Sequence, residues 1–190
     1  SKFLIDNFNL SEGKDFQKYA IGLKEVWEIK EENFSEGLVE HSMGWPLSDG
    51  TNGGSFLYHF DKNLVSIGYV IHLNYTNPYA SPFDEFQQFK THPSVKKTLI
   101  GGKRLSYGAR AITTGGYQSV PKLNFPGGAL IGCSAGFLNY PKIKGTHNAM
   151  ESGMLAAEAI IEKKLSQDEN NNLENYQLKY EKSRIFKELK

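Results

Sequence analysis

The sequence predicts an α+β fold, in which an antiparallel sheet with packed helices is followed by a strand, a loop and a helix. Three observations lead to this prediction. Aromatic and β-branched runs at 53–60 and 64–73 flank a short polar turn, which is a hairpin pattern. A proline opens a helical pattern at 82–90. A loop of small residues at 132–136 precedes apolar residues at helical spacing over 146–164.

Composition limits the classes of protein to which the chain can belong. Its 190 residues suffice for one good-sized core, and 22 Lys and Arg against 21 Asp and Glu give a net charge of +1. Such a balanced charge gives no reason to expect a nucleic acid partner. No apolar run is as long as a membrane-spanning helix, so any membrane contact is expected to be peripheral.

Cys133 is the single cysteine of the sequence. One cysteine excludes an intrachain disulfide framework, and it excludes a zinc or iron-sulfur site built only from cysteines of this chain. Because Cys133 directly follows an apolar run, the sequence predicts a buried structural thiol and not a reactive one.

The first part of the chain is expected to build the sheet. Residues 1–18 are polar and are predicted to be an irregular lead-in. Loosely alternating apolar and polar residues then predict strands at 20–30, 38–45, 53–60, 64–73 and 101–111. The first four strands are expected to form an antiparallel meander.

Gly53 and Gly54 open the third of these strands. A strand that begins with two glycines lets another flat group approach its backbone closely. The alternative interpretation is a bulge or a distortion at the edge of the sheet.

The helix that follows the hairpin has a clear start and an aromatic face. Ser81 is expected to cap it, and Pro82 suits the first helical position. Phe83, Phe86 and Phe89 follow at spacings of three and share one face. That face either packs on the sheet or meets a hydrophobic ligand or a membrane surface, and both can be true of different rings.

The most informative stretch runs from 124 to 159. An apolar run at 129–131 predicts a short buried strand, the small residues at 132–136 predict a loop of exposed backbone, and Gly145 and Thr146 predict a helix start. Backbone N–H groups and the positive end of the helix dipole would then point at one spot, which suits an anionic or electron-accepting group. The alternative is a plain connection whose glycines serve only tight backbone packing.

Seven motifs, spread over most of the chain, carry a resemblance to a known family. They are GLKEVW at 22–27, GWP at 44–46, GGSFLYH at 53–59, NPYASPFDEFQQFKTHP at 77–93, GGKRLSYGARA at 101–111, GGYQSVPKLNFPGG at 115–128 and GCSAGFLNYPKIKGTHNAMESGMLAAEA at 132–159. With these motifs the chain resembles the middle of electron transfer flavoprotein:ubiquinone oxidoreductase, from about residue 17 to residue 165.

The resemblance implies an electron-transferring-flavoprotein dehydrogenase. Such a protein takes electrons from reduced electron transfer flavoprotein and passes them to ubiquinone, using FAD and a 4Fe-4S cluster. It implies peripheral attachment to a membrane surface, either the matrix side of the mitochondrial inner membrane or the bacterial cytoplasmic membrane. No nucleic acid partner is implied.

The resemblance also implies two sets of site residues. In such proteins the quinone ring is held near the backbone of the glycine pair, here Gly53 and Gly54, and the candidate walls are Phe56, Tyr58, Pro82, Phe83 and Phe86. The flavin side carries over onto Gly132, Cys133, Gly136, Lys144, Gly145, Thr146, His147 and Asn148. His147 is expected to serve through its shape or its backbone and not as a proton donor. No catalytic residue and no metal ligand is expected in this chain.

The expected domain organisation follows from the same resemblance. Residues 1–18 are the lead-in, 19–123 a ubiquinone-binding-like domain, 124–165 the C-terminal part of an FAD-binding domain, and 166–190 a polar linker with a terminal helix. The sequence contains neither the G-x-G-x-x-G fingerprint of a dinucleotide-binding half nor the cysteines of a cluster domain.

Two functions are therefore open. The chain is either a central segment of the oxidoreductase, without the N-terminal dinucleotide-binding half and the C-terminal iron-sulfur domain, or a non-catalytic module for quinone or membrane binding or for assembly. For the oxidoreductase, Gly53→Val is expected to abolish quinone reduction and to leave FAD bound.

Overall fold

A computed structural model describes residues 1–48, 50–166 and 172–190. The chain divides into two compact units. The sheet unit is Tyr19–Ile112, and the helical unit joins Ser1–Lys18 to Thr113–Lys190. Residues 113–123 thus belong with the C-terminal part and not with the sheet as expected. Backbone hydrogen bonds hold them there, since Lys122 N donates to Leu10 O at 2.8 Å and Asp15 N donates to Gln118 O at 3.0 Å.

The sheet unit contains a five-stranded sheet. Its strands are β1 (Tyr19–Glu28), β2 (Val39–Met43), β3 (Gly53–Phe60), β4 (Leu64–His72) and β5 (Lys103–Thr113). The order in the sheet is β2-β3-β4-β1-β5, and the pairings among the first four strands are antiparallel. The expected meander is therefore right for β2, β3 and β4 only. β1 pairs with β4 along its whole length, which is a non-local pairing that short-range sequence patterns do not predict.

Side chains alternate between the two faces of the sheet, as the period of a strand requires. One face is covered by α2 (Pro82–Phe89) and α3 (Pro93–Leu99). The buried core between this face and the helices consists of Ile29, Leu57, Val65, Ile67, Tyr69, Ile71, Phe86, Phe89, Val95 and Leu99. The sheet is thus an antiparallel sheet with packed helices, as the sequence predicts.

α2 begins as expected, because the Ser81 side chain accepts a hydrogen bond from Asp84 N at 3.3 Å and Pro82 occupies the first turn. The three phenylalanines of the aromatic face differ in burial. Phe86 and Phe89 are buried against the sheet, whereas Phe83 is 56% exposed.

Glu25 is the centre of a charged cluster inside the sheet unit. Its side chain is 3% exposed, and Lys90 Nζ donates to its two carboxylate oxygens at 2.8 and 3.0 Å. Trp27 Nε1 donates to it at 2.7 Å and Arg104 Nη1 at 3.3 Å. Burial alone would raise the pKa of Glu25, but these hydrogen bonds and the Lys90 charge outweigh it and hold the pKa below its usual value. The cluster ties β1, the end of α2 and β5 together.

The helical unit is built around a second core. Its elements are α1 (Lys2–Asn7), β6 (Asn124–Phe125), β7 (Gly128–Ala129), α4 (Thr146–Leu165), α5 (Glu174–Lys182) and α6 (Arg184–Leu189). Its buried residues are Leu10, Val120, Leu123, Leu130, Ala135, Phe137, Ala156, Ala159, Tyr176, Tyr180 and Ile185. Residues 1–18 are therefore not a wholly irregular lead-in, since they include a helix and contribute Leu10 to the core.

The strand, loop and helix near the C-terminal end are present, but the strand is shorter than expected. β7 has two residues and pairs with β6, and Ile131 is exposed. The chain turns at once into a 3₁₀ helix, Gly132–Ala135. The predicted helical pattern at 173–190 forms two helices, because Ser183 Oγ accepts from Phe186 N at 3.3 Å and starts α6. Of the predicted linker, residues 167–171 lie outside the described residues.

Candidate functional site

The first candidate site is the Gly53 end of β3. A Cβ atom at Gly53 would lie far inside van der Waals contact with Val70 O and with Leu47 Cδ1, and one at Gly54 would lie 2.5 Å from Ser42 O. Neighbouring strands and the Leu47 side chain thus require both glycines. Close packing within the sheet is therefore a sufficient reason for both glycines.

A small cavity lies beside this strand end. Its volume is about 20 Å³, and its lining residues are Leu47, Ser48, Thr51, Ile71, Tyr75, Asn77, Ala80, Pro82 and Glu85. Leu47 stands over Gly53, and Ile71 is the pairing partner of Gly53 in β4. The cavity therefore borders the predicted quinone position, and its lining combines apolar and polar side chains.

Glu85 is the polar group of this cavity that most needs an explanation. Its Oε2 atom is buried and has no hydrogen-bond partner in the part of the chain that the structure describes. Burial, and then the neighbouring charge of Asp84, raise the pKa of Glu85. A buried carboxyl oxygen without a partner is uncommon in native proteins and marks a place for water or ligand.

Tyr69 holds the turn that leads to Leu47. Its hydroxyl donates to Gly44 O at 2.8 Å and to Trp45 O at 3.0 Å, which holds the turn that carries Leu47. Burial raises the pKa of Tyr69 to about 12, so the hydroxyl stays a donor at neutral pH.

The other predicted quinone residues do not gather at one place. Pro82 lines the cavity, Phe86 is in the core and Phe83 faces solvent. Phe56 and Tyr58 lie on the opposite face of the sheet, because residues 54, 56 and 58 alternate with 53, 55 and 57. Of the five candidate wall residues, only Pro82 thus lines this cavity.

Phe56 and Tyr58 form an aromatic platform on the face of the sheet away from α2. Their rings stack with centroids 4.9 Å apart, and a Cβ at Gly68 would collide with the Phe56 ring. The hydroxyl of Tyr58 and Nε2 of His41 are hydrogen-bonded at 2.9 Å. Ring stacking, packing on Gly68 and the hydrogen bond to His41 thus fix the positions of the two rings.

Sequence reasoning missed most of the cavity-lining residues. Glu85 carried a usable signal, because it lies one helical turn after Pro82 and so shares a face with it. Leu47, Ile71 and Tyr75 reach the cavity through folding of distant segments and carry no local signal.

The second candidate site is the start of α4. Gly145 is its N-terminal flanking residue, and the first N–H groups of a helix have no acceptor within the helix. The preceding loop is packed on the helix, since Gly132 N donates to Ser152 Oγ at 3.0 Å. Gly132 and Gly136 have φ angles of 54° and 83°, which favour glycine. Gly132 thus lies against the first turns of α4.

Polar side chains fix this helix end to the last helix of the chain. His147 Nε2 lies 2.9 and 3.0 Å from the carboxylate oxygens of Glu188, and Asn139 Nδ2 donates to Glu188 Oε1 at 2.9 Å. Burial would raise the pKa of Glu188, but the hydrogen bonds of Asn139 and His147 outweigh it and lower the pKa. Asn148 Nδ2 donates to Phe137 O at 3.0 Å, and Asn148 Oδ1 is buried without a partner among the described residues.

Two of the predicted flavin residues, Cys133 and Lys144, have exposed side chains. Cys133 is exposed, so the prediction of a buried thiol is wrong. The apolar run ends at Leu130, and the 3₁₀ turn carries Cys133 outwards, where Thr113 Oγ1 donates to its carbonyl at 3.0 Å. Lys144 is exposed, and its backbone pairs with that of Asn139.

Within residues 1–48, 50–166 and 172–190, no group of three His, Cys, Asp or Glu side chains is placed to hold a metal ion. None of the helices in those ranges is long and apolar enough to cross a membrane.

Comparisons with known proteins agree with the division into units. Residues 19–112 match the family model described as "ETF-QO, ubiquinone-binding", and these are the bounds of the sheet unit. The probable electron transfer flavoprotein-ubiquinone oxidoreductase of Saccharomyces cerevisiae is 48% identical over 207 residues, covering the whole of this chain and 33% of that protein. The human oxidoreductase is 56% identical, with 88% and 28% coverage. That of Pseudomonas aeruginosa is 58% identical, with 85% and 29% coverage.

Solved structures confirm the α+β fold. Halogenase PltM matches with a TM-score of 0.57 and 15% identity, over 91% of this chain and 37% of that one. A flavoprotein/dehydrogenase from Cytophaga hutchinsonii matches with a TM-score of 0.56 and 16% identity, over 98% and 42%. At these identities the likeness shows the fold alone.

The chain spans about a third of the length of the curated relatives that it matches, and those relatives include mitochondrial and bacterial proteins. Identities near one half extend over most or all of its residues, in both structural units. The chain therefore belongs to the electron transfer flavoprotein-ubiquinone oxidoreductase family.

Proposed function

We propose that this chain is the quinone-binding segment of an oxidoreductase that passes electrons from reduced electron transfer flavoprotein, through FAD, to ubiquinone. The observation that carries the proposal is the coincidence of the compact sheet unit, Tyr19–Ile112, with the family match at 19–112. The names of the relatives supply the donor and the acceptor.

The quinone ring binds at the mouth of the cavity beside Gly53. Apolar walls from Leu47, Ala80 and Pro82 with a few polar groups suit a quinone, whose ring is apolar and whose two oxygens accept hydrogen bonds. A volume of about 20 Å³ is too small for the ring, so binding requires Leu47 to rotate away from Gly53. This movement brings the ring close to the backbone at Gly53.

The region around Pro82 also meets the membrane surface. Tyr79 is 92% exposed and Phe83 is 56% exposed, and the two flank Pro82 at the cavity. Exposed aromatic side chains are typical anchors at a lipid interface, and a quinone with a long apolar tail is dissolved in the bilayer. Attachment is thus peripheral, at the matrix side of the mitochondrial inner membrane or at the bacterial cytoplasmic membrane.

The start of α4 fits a flavin. Helix N–H groups and the glycine-lined loop offer polar contacts at one place. Gly132, Gly136 and the backbone from Gly145 to Asn148 would hold the group there, with Cys133 and Lys144 at its exposed side. When bound, FAD supplies the electrons for quinone reduction, and the helix N–H groups stabilise negative charge. The single cysteine does not fit a 4Fe-4S cluster.

Tryptophan fluorescence tests the quinone site, because both tryptophans, Trp27 and Trp45, lie in the sheet unit. Quinones quench indole fluorescence at short range, and Trp45 is two residues from Leu47. A short-tailed ubiquinone analogue is expected to quench the Trp27→Phe variant strongly and the Trp45→Phe variant weakly. Ala80→Leu, which fills the cavity, is expected to weaken binding about tenfold, a change of about 1.4 kcal/mol.

Ala111→Leu is the matched control, since Ala111 is exposed on β5. If the quinone quenched Ala80→Leu and Ala111→Leu equally, and circular dichroism showed both variants folded, the quinone would not bind in this cavity. If the analogue quenched none of the variants, the sheet unit would not bind quinone.

Flavin fluorescence tests the second site. The G-x-G-x-x-G fingerprint, which holds a pyrophosphate in dinucleotide-binding proteins, is not in the sequence. We expect FAD and riboflavin to bind the chain with affinities equal within about threefold. A much tighter complex with FAD would show a pyrophosphate site that the described residues do not explain. Quinone binding with no flavin binding would favour the alternative function, a quinone-binding or membrane-binding module.

A further inference from the structure

We propose that Glu85 delivers a proton to the bound quinone, through one water molecule held in the cavity beside Gly53. This inference depends on the proposed function, because it requires ubiquinone at this cavity.

The position of Glu85 supports this role. Glu85 is on α2, one turn after Pro82, and both line the cavity. Glu85 Oε2 is buried and lacks a partner among residues 1–48, 50–166 and 172–190. A buried polar atom without a hydrogen bond is unfavourable in a folded protein, so a partner is expected.

The size and lining of the cavity identify that partner as water. A water molecule needs about 10–15 Å³, and the cavity has about 20 Å³. It also needs two to four polar partners, and Thr51 and Asn77 line the same cavity as Glu85. A single water bound to the Glu85 carboxyl satisfies both requirements.

The groups facing Glu85 favour its protonated form. Asp84 on the same helix is acidic, and burial raises the pKa of Tyr69 on β4 to about 12. Tyr75, in the loop that follows β4, also lines the cavity. No lysine, arginine or histidine is among the described cavity-lining residues, and Asp49 lies outside the described residues. Burial and then Asp84 raise the pKa of Glu85, which is the direction that a proton donor requires.

The proton and electron count is that of quinone reduction. Ubiquinone takes up two electrons, from the reduced electron transfer flavoprotein of the proposed function, and two protons to become ubiquinol. Glu85 gives one proton through the water to a quinone oxygen, where an O–H bond forms. The Glu85 carboxylate then takes a proton from solvent, and the second quinone oxygen receives its proton from solvent.

The test uses a full-length oxidoreductase that carries this segment, with Glu85→Gln as the variant. Glutamine keeps the shape and hydrogen bonds but cannot release a proton. We expect kcat with a ubiquinone analogue to fall about 100-fold, with KM changed less than threefold. In the unaltered protein kcat is expected to fall as pH rises through the pKa of Glu85, and Glu85→Gln is expected to lose this dependence.

Glu36→Gln is the matched control, since Glu36 is exposed in the same unit and should leave kcat and its pH dependence unaltered. Glu85→Asp keeps a carboxyl and is expected to restore part of the rate and the pH dependence. An infrared difference spectrum provides a readout apart from activity, because the band of a protonated carboxyl should be present in the unaltered protein and missing in Glu85→Gln.

The outcomes separate the two proposals. Suppose that Glu85→Gln leaves kcat and its pH dependence unchanged while the quinone still quenches Trp45. This result would overturn the role of Glu85 and would support the quinone site. If the analogue fails to quench the unaltered protein, the quinone site is wrong and the role of Glu85 is overturned with it. Loss of the pH dependence in Glu85→Gln together with its partial return in Glu85→Asp would support the proton donor even if glutamine also lowers stability.

Discussion

Replacing Glu25 with alanine is expected to destabilise the sheet unit by about 3–5 kcal/mol, because it leaves a buried lysine without its partner. Lys90 donates to both carboxylate oxygens, and Trp27 and Arg104 donate as well. Urea unfolding followed by the fluorescence of the two tryptophans measures the change directly.

Glu28→Ala is the control for this prediction, because Glu28 is three residues further along β1 and is exposed. It should change the free energy of unfolding by less than about 0.5 kcal/mol. Equal effects of the two substitutions would show that the Glu25 cluster contributes little to stability.

The same cluster gives the stability of the sheet unit a defined pH dependence. The pKa of Glu25 in the folded state lies below its value in the unfolded state, which is about 4.3. The folded state therefore binds the Glu25 proton less readily, and the stabilisation is fully present above that value. It is lost as pH falls through the folded-state pKa, so the protein and Glu25→Gln should approach each other in stability under acid conditions.

Replacing Gly53 with valine is expected to destabilise the sheet unit by about 3 kcal/mol or more. The new Cβ would collide with Val70 O, which is backbone and cannot move without shifting β4, and with the Leu47 side chain. This result differs from the expectation at the sequence level, which was loss of quinone reduction with bound FAD unaffected. Any loss of quinone reduction in Gly53→Val would then follow from a disturbed strand.

Gly108 provides a matched control for Gly53. It also lies in a strand of the sheet unit, but it is exposed and no atom lies within 4 Å of a Cβ built there. Gly108→Val should therefore be neutral within about 0.5 kcal/mol, or slightly stabilising, since valine suits an exposed strand. Thermal unfolding measures the stability of the two variants. A Gly53→Val protein as stable as Gly108→Val would contradict the steric argument.

Local patterns predicted the elements whose causes are local. The bounds of β3 follow from its alternating residues, and the start of α2 follows from Ser81 and Pro82. The pairing of β1 with β4 was not predictable in this way, because residues 19–28 and 64–72 are far apart in sequence. Lys90 and Arg104, the charged partners of Glu25, are likewise 65 and 79 residues away from it.

The candidate site was predictable in part for the same reason. The faces of Phe56 and Tyr58 follow from strand alternation, and applying that period strictly would have placed them away from Gly53. Cys133 was predicted to be buried because the run before it is apolar. The turn that begins at Gly132 instead leaves the Cys133 side chain exposed. The cavity depends on Leu47, Ile71 and Glu85 from three separate segments, so only the folded chain reveals it.

β5 has a consequence for how copies of this protein behave in concentrated solution. It is the last strand of the sheet, it is eleven residues long, and most of its side chains are exposed. The outer edge of such a strand is a template on which a second chain can add by backbone hydrogen bonding, the first step of aggregation. Lys103 and Arg110 along it repel another copy of the same strand. Salt weakens that repulsion, so colloidal stability of the sheet unit should be greatest at low ionic strength.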